Sequence, residues 1–171
     1  LCHSRFDSAR FFFEKGGKAM KIKGNKILFS LFLLLSVSVM AMIFYFSAQW
    51  ADSSEQESVS LYDLFLRYTH LDLVSHNAFR KMAHFSEFAA LGFCFCGCGY
   101  FFSSELHPLI SAAACAVYAL SDEVHQIFVP GRACRIFDVF VDSCGASFGI
   151  LIFVIITLLI IKIKDKRRML L

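Results

Sequence analysis

Apolar positions in this chain neither alternate nor keep to one helical face; they run in long blocks separated by short polar stretches. The first block, Ile27 to Phe46, is 20 residues without a charge. At a rise of about 1.5 Å per residue that is enough to cross about 30 Å of hydrocarbon. It is long for the apolar core of a signal peptide and further blocks follow, so it reads as an uncleaved anchor. A second block runs from about Met82 to Phe102, a third from about Leu109 to Val129, and a fourth from about Phe137 to Ile161. The pattern predicts an all-α, polytopic membrane protein with four transmembrane helices in a small bundle. The connector Ser103 to Pro108 is short enough to make a tight helical hairpin. In the polar loop 47–79, Ser54 and Glu57 fit a capping box. Val59, Tyr62, Phe65 and Leu66 follow near one face, which predicts a short amphipathic helix in this first extracytoplasmic loop.

Composition supports lipid as the main solvent. Charged residues make up 18% of the 171, where a soluble domain carries about 25%. The charge is also segregated: seven of the 17 Lys and Arg precede Ile27 and five follow Ile161. Basic residues favour the cytoplasmic side, so both termini are expected in the cytoplasm and loops 47–79 and 130–136 outside. The chain divides into a basic N-terminus (1–26), a membrane domain (27–161) and a basic tail (162–171). Glu14-Lys15-Gly16-Gly17-Lys18 ahead of Met20 back-translates to a purine-rich stretch resembling a ribosome-binding site, so residues 1–19 are expected to be translated leader. The segregation is not the pattern of a nucleic-acid binder, and no phosphate-binding loop or dinucleotide fingerprint occurs. Cys94, Cys96 and Cys98 alternate within an apolar run, so neighbours point to different sides of a helix and are expected to be small packing residues.

The informative positions are charges within the blocks, each costly in hydrocarbon. The strictly uncharged part of the second block, Phe88 to Phe102, has only 15 residues, so a crossing there must take in His84 and Glu87. The third must take in Asp122, Glu123 and His125, and the fourth opens with Asp138 and Asp142. With the termini inside, all three groups fall in the outer half of the membrane. Arg80, His84 and Glu87 form one helical stripe; Asp122, His125 and Gln126 form another. Asp138 and Asp142 share a face with Gly145 and Gly149, a G-x-x-x-G spacing that favours close helix contact. The turn Val129-Pro130-Gly131 sets Arg132 at the mouth of the group.

Two readings fit this set. A balanced network of acids and bases can simply hold a bundle together. A functional site would use Arg80, Lys81, Gln126 and Arg132 to hold an anionic ligand, and His84, Glu87, Asp122, Glu123, His125, Asp138 and Asp142 for acid/base work. Such a site suits a lipid-linked precursor or an anionic lipid head group. His84-x-x-Glu87 and Asp122-x-x-His125 offer ligand pairs for a metal, but no HExxH string is present and each carboxylate has a base nearby, so neither metal nor cofactor is expected.

Arg80-Lys81-Met-Ala-His84-Phe85-Ser-Glu87-Phe88 with Leu91-Gly92 resembles the first signature of the VanZ-like membrane proteins. Tyr118 to Arg132, then Asp138, Asp142 and Gly145, resembles the second, and Phe46-Ser47-Ala-Gln49 also fits. The resemblance runs from about Lys26 to Ile161. It implies a bacterial cell-membrane protein of four helices, in a family named for an accessory protein of low-level teicoplanin resistance. It leaves open whether the chain is an enzyme acting on an envelope component, a non-catalytic binder that shields a cell-wall precursor or limits drug access, or an ion-coupled transporter. The transporter fits least, because no polar residues continue through the cytoplasmic half.

Overall fold

The computed structural model describes residues 25–49, 59–60, 62–64, 66–67, 75–132 and 134–170. The expected leader, Lys21, Lys23 and the Ser54–Glu57 capping box lie outside the described residues. Among the described residues there are four long helices: α1 (Lys26–Ser47), α2 (His76–Ser103), α3 (Pro108–Gln126) and α4 (Ile136–Met169). Residues 59–60, 62–64 and 66–67 are also helical, and the Tyr62 ring lies 5.6 Å from that of Phe79 at the start of α2.

Local chemistry sets each boundary. The Asn25 side chain accepts from the backbone N–H groups of Ile27 (3.0 Å) and Leu28 (3.3 Å), a standard cap for the start of α1. The Ser75 Oγ accepts from Ala78 N–H (3.3 Å) to start α2. That helix stops at Ser104, which takes the left-handed conformation (φ 62°), and Pro108 opens α3 at a position where its missing N–H costs nothing. The predicted hairpin connector is therefore only residues 104–107. α3 ends at Gln126, short of Val129, because Val129-Pro130-Gly131-Arg132 closes a turn with Gly131 at φ 79° and Arg132 N–H donating to the Val129 carbonyl at 3.1 Å. α4 continues to Met169, beyond the predicted span end at Ile161 and through the basic tail. No Gly or Pro interrupts residues 150–169, Lys and Arg are good helix formers, and cations suit a helix C-terminus.

Among the described residues three helices are long and apolar enough to cross a membrane: α1, α2 from Ala78, and α4. The chain is a multi-pass membrane protein. α3 is 19 residues long and is more polar, with Ser111, Asp122, Glu123 and Gln126 all buried against its neighbours. Large apolar side chains such as Leu34, Tyr45, Val117, Leu151 and Ile155 face outward, as lipid-facing positions do.

α2 and α4 form the closest seam. A Cβ at Gly145 would run into the Phe85 carbonyl, one at Gly149 into the Ala89 carbonyl, and one at Gly92 into that of Ala146. The G-x-x-x-G spacing thus does bring two backbones together. Beside the seam, Phe88, Leu91, Ile43, Cys115, Ala119 and Ala146 form one core, and Cys96, Tyr100, Ile150 and Phe153 a second, further along the helices. Cys94, Cys96 and Cys115 are buried free thiols, in keeping with packing roles.

Candidate functional site

At one end of the bundle four chain segments meet: the C-terminus of α1, the first half of α2, the last turns of α3 and the first turns of α4. α2, α3, the turn at Gly131 and α4 line a cavity of about 370 Å³ there. Its basic wall comes from Arg80, Lys81, Arg132 and Arg135; its acidic wall from Glu123, Asp138 and Asp142; His84 and Gln126 complete it. Eight of the sequence-predicted residues therefore share one cavity: Arg80, Lys81, His84, Glu123, Gln126, Arg132, Asp138 and Asp142. Glu87, Asp122 and His125 do not line it.

Each polar side chain has a distinct setting. Asp122 is buried behind the cavity, where its Oδ2 accepts from Ser47 Oγ (2.7 Å) and from Gln126 Nε2 (3.1 Å). Gln126 Nε2 also donates to Ser47 Oγ at 3.2 Å. This closed triangle ties the end of α1 to α3. Ser47 is fully buried, and sequence reasoning gives it no chemical role although it sits in the Phe46-Ser47 pair; a hydroxyl at the end of an otherwise uncharged span is the available signal. Arg135 is a second addition to the cavity wall. Its backbone N–H, at the N-cap of α4, donates to Glu123 Oε2 at 2.8 Å. Glu123 thus brings negative charge to the positive end of α4.

Arg132 bridges elements in the opposite sense. Its Nε donates to the Gln49 carbonyl (3.2 Å) and one terminal nitrogen to the Phe46 carbonyl (3.0 Å). A guanidinium there gives the Phe46 carbonyl, in the last turn of α1, a donor and opposes the negative end of that helix's dipole. Burial, and then the guanidinium of Arg80, pulls the Arg132 pKa below its ordinary value, with Asp122 and Glu123 acting against that pull. Lys81 lies over the Phe137 ring, 4.3 Å from its centre, a cation–π contact that holds it at the mouth. Among the described residues Arg80 forms no ion pair.

His84 Nδ1 lies 3.7 Å from Glu87 Oε2, outside hydrogen-bond reach, and has no hydrogen-bond partner. His125 is turned away: its ring stacks on Phe44 (4.6 Å between centres, 29° between planes), and its Nε2 is buried without a partner. The two His stripes read from helical spacing thus point to different neighbours. Asp142 is only 2% exposed, and its Oδ1 also lacks a partner. Among the described residues no group of three His, Cys, Asp or Glu is placed to hold a metal ion. The cavity can present cations to an anion, carboxylates to a donor, and one imidazole to a proton.

No curated protein and no solved structure matches this chain. The family model of VanZ/LLP1 does match, over residues 32–158, a stretch that contains every residue of the cavity wall. The chain belongs to the VanZ/LLP1 family.

Proposed function

We propose that this VanZ-family chain works in a bacterial cell membrane, with α3 as a fourth crossing and both termini in the cytoplasm, and that its cavity receives an anionic head group at the outer leaflet. The observation that carries the reading is the cavity itself, in which Arg80, Lys81, Arg132 and Arg135 converge on a space also reached by His84. Intramembrane ionisable residues are costly, and a shared cavity is a reason to keep them that mutual neutralisation does not require. Arg80 and Lys81 hold the anion; Gln126 and Arg132 shape the wall. His84 moves a proton with Glu87 beside it, Glu123, Asp138 and Asp142 set the charge of the wall, and Asp122 ties α1 to α3 behind it. The ligand is an envelope precursor or a lipid head group, and the family resemblance connects it to teicoplanin susceptibility. The test compares lipids and cell-wall precursors, by mass spectrometry, in cells with the gene, without it, and with His84→Gln. A chemically altered component that appears with the wild type and disappears with His84→Gln supports catalysis; identical profiles in all three refute it.

A second reading, a non-catalytic binder, is favoured by the bonds of Arg132 and Glu123, which join helices and leave those groups committed to the fold. A binder tolerates His84→Gln but loses teicoplanin protection with Arg80→Gln. The sidedness common to both readings is checked by cysteine labelling at positions 87 and 142; access from the cytoplasmic face alone refutes it.

A further inference from the structure

We infer that the cavity takes a dipolar head group, with a phosphate at its cationic mouth and a primary ammonium against the Asp142 carboxylate. The inference rests on the anion-site reading above and adds the second half of the ligand. Its carrier is the state of Asp142. That residue is 2% exposed, forms part of the cavity wall, and leaves Oδ1 without a hydrogen-bond partner. A buried carboxylate oxygen with no donor bears the full cost of its lost hydration. His84, which also lines the cavity, likewise leaves Nδ1 unpartnered. Asp142 and His84 thus give one cavity two side chains with an unpartnered polar atom.

Depth separates the two halves. Arg135 stands at the N-cap of α4 and Arg132 in the turn before it, whereas Asp142 lies seven residues further along α4. At helix rise that is about 10 Å deeper. A ligand entering from the mouth therefore passes Arg132 and Arg135, with Glu123 and Asp138 beside them, before it reaches Asp142. The size agrees: 370 Å³ is near the lower end of the range of about 300–1,000 Å³ for ligand cavities, enough for a head group and too little for a whole lipid or a saccharide-bearing precursor. The orphaned oxygen needs an N–H or O–H. A primary ammonium supplies it with a charge-assisted bond, roughly twice the strength of a neutral one; a glycerol hydroxyl supplies the neutral one, and a quaternary choline supplies none. The ligand class is thus phosphoethanolamine, either free or as a phospholipid head.

The experiment titrates the purified full chain in detergent with dihexanoyl phosphatidylethanolamine, phosphatidylglycerol and phosphatidylcholine, read by calorimetry. The ethanolamine lipid should bind about tenfold more tightly than the choline lipid, with the glycerol lipid between them. Asp142→Asn, whose amide oxygen keeps only a neutral bond, should lower the ethanolamine-to-choline ratio severalfold, whereas Arg80→Gln should weaken all three together. Equal or tighter binding of the glycerol or choline lipid by the wild type overturns the ammonium assignment and leaves the anion site standing. This comparison needs no variant, so it holds even where Asp142→Asn fails to fold. Binding of none of the three, by wild type and Arg80→Gln alike, overturns both readings. Competition by free O-phosphoethanolamine as effective as the lipid supports a soluble source; competition by the lipid alone supports a membrane one.

Discussion

The seam between α2 and α4 can be tested with one methyl group. Gly149→Ala places a Cβ against the carbonyl, carbon and Cα of Ala89, all backbone atoms that no rotamer change can move aside. Gly99, within α2, has nothing within 4 Å of its would-be Cβ. Both substitutions gain the same helix propensity, about 1 kcal/mol over glycine, so that gain cancels in the comparison. What remains is the steric cost at Gly149, about 1–3 kcal/mol for overpacking a tight contact. For a chain of this size each kcal/mol moves the melting temperature by about 2–4 °C, so Gly149→Ala should melt about 2–12 °C below Gly99→Ala. Gly97→Ala is a useful intermediate, because its Cβ meets the Phe32 ring, which can swing aside in part. The assay is thermal unfolding in detergent with a thiol-reactive fluorophore. Once the exposed thiols such as Cys134 and Cys144 are blocked, the buried free thiols of Cys94, Cys96 and Cys115 report the parting of the helices. Equal melting of Gly149→Ala and Gly99→Ala would refute the close approach, and with it the placement of Asp142, which shares that face of α4.

Three further outcomes follow from the site. Ser47→Ala removes the 2.7 Å bond to Asp122 and leaves that carboxylate under-satisfied in a buried place, so thermal unfolding should show a loss of about 1–3 kcal/mol. Arg132→Gln frees the Phe46 and Gln49 carbonyls, and hydrogen exchange at residues 44–49 should accelerate while exchange in the middle of α1 stays unchanged; Arg132→Lys, a point charge without the planar fork, should restore only part of the protection. Glu123→Gln can still accept from the Arg135 N–H but loses its charge at the start of α4, so it should cost about 1 kcal/mol in thermal stability, less than Glu123→Ala.

Much of the site is legible in the sequence because helical spacing is local arithmetic. Arg80 and His84 at i and i+4 do share a wall, as do Asp138 and Asp142. Where the arithmetic falls short, it fails for one reason. Spacing tells which residues share a face and is silent on what that face meets. Asp122, His125 and Gln126 share a stripe, yet Gln126 reaches the cavity, Asp122 bonds to Ser47, and His125 stacks on Phe44. Its place after a tight turn gives Arg132 to a ligand; only the position of α1 reveals the Phe46 and Gln49 carbonyls within its reach.

By itself the sequence determined the membrane character, the helical elements, a hairpin turn within residues 103–108 and the seam glycines. Each depends on neighbours within a few residues or on transfer of a block from water to lipid. The tertiary structure alone decided which polar atoms pair across helices and which are left over. That outcome depends on the rotation and depth of four helices relative to one another, and a shift of a single turn in any of them would exchange a hydrogen bond such as Ser47–Asp122 for an orphan such as Asp142 Oδ1.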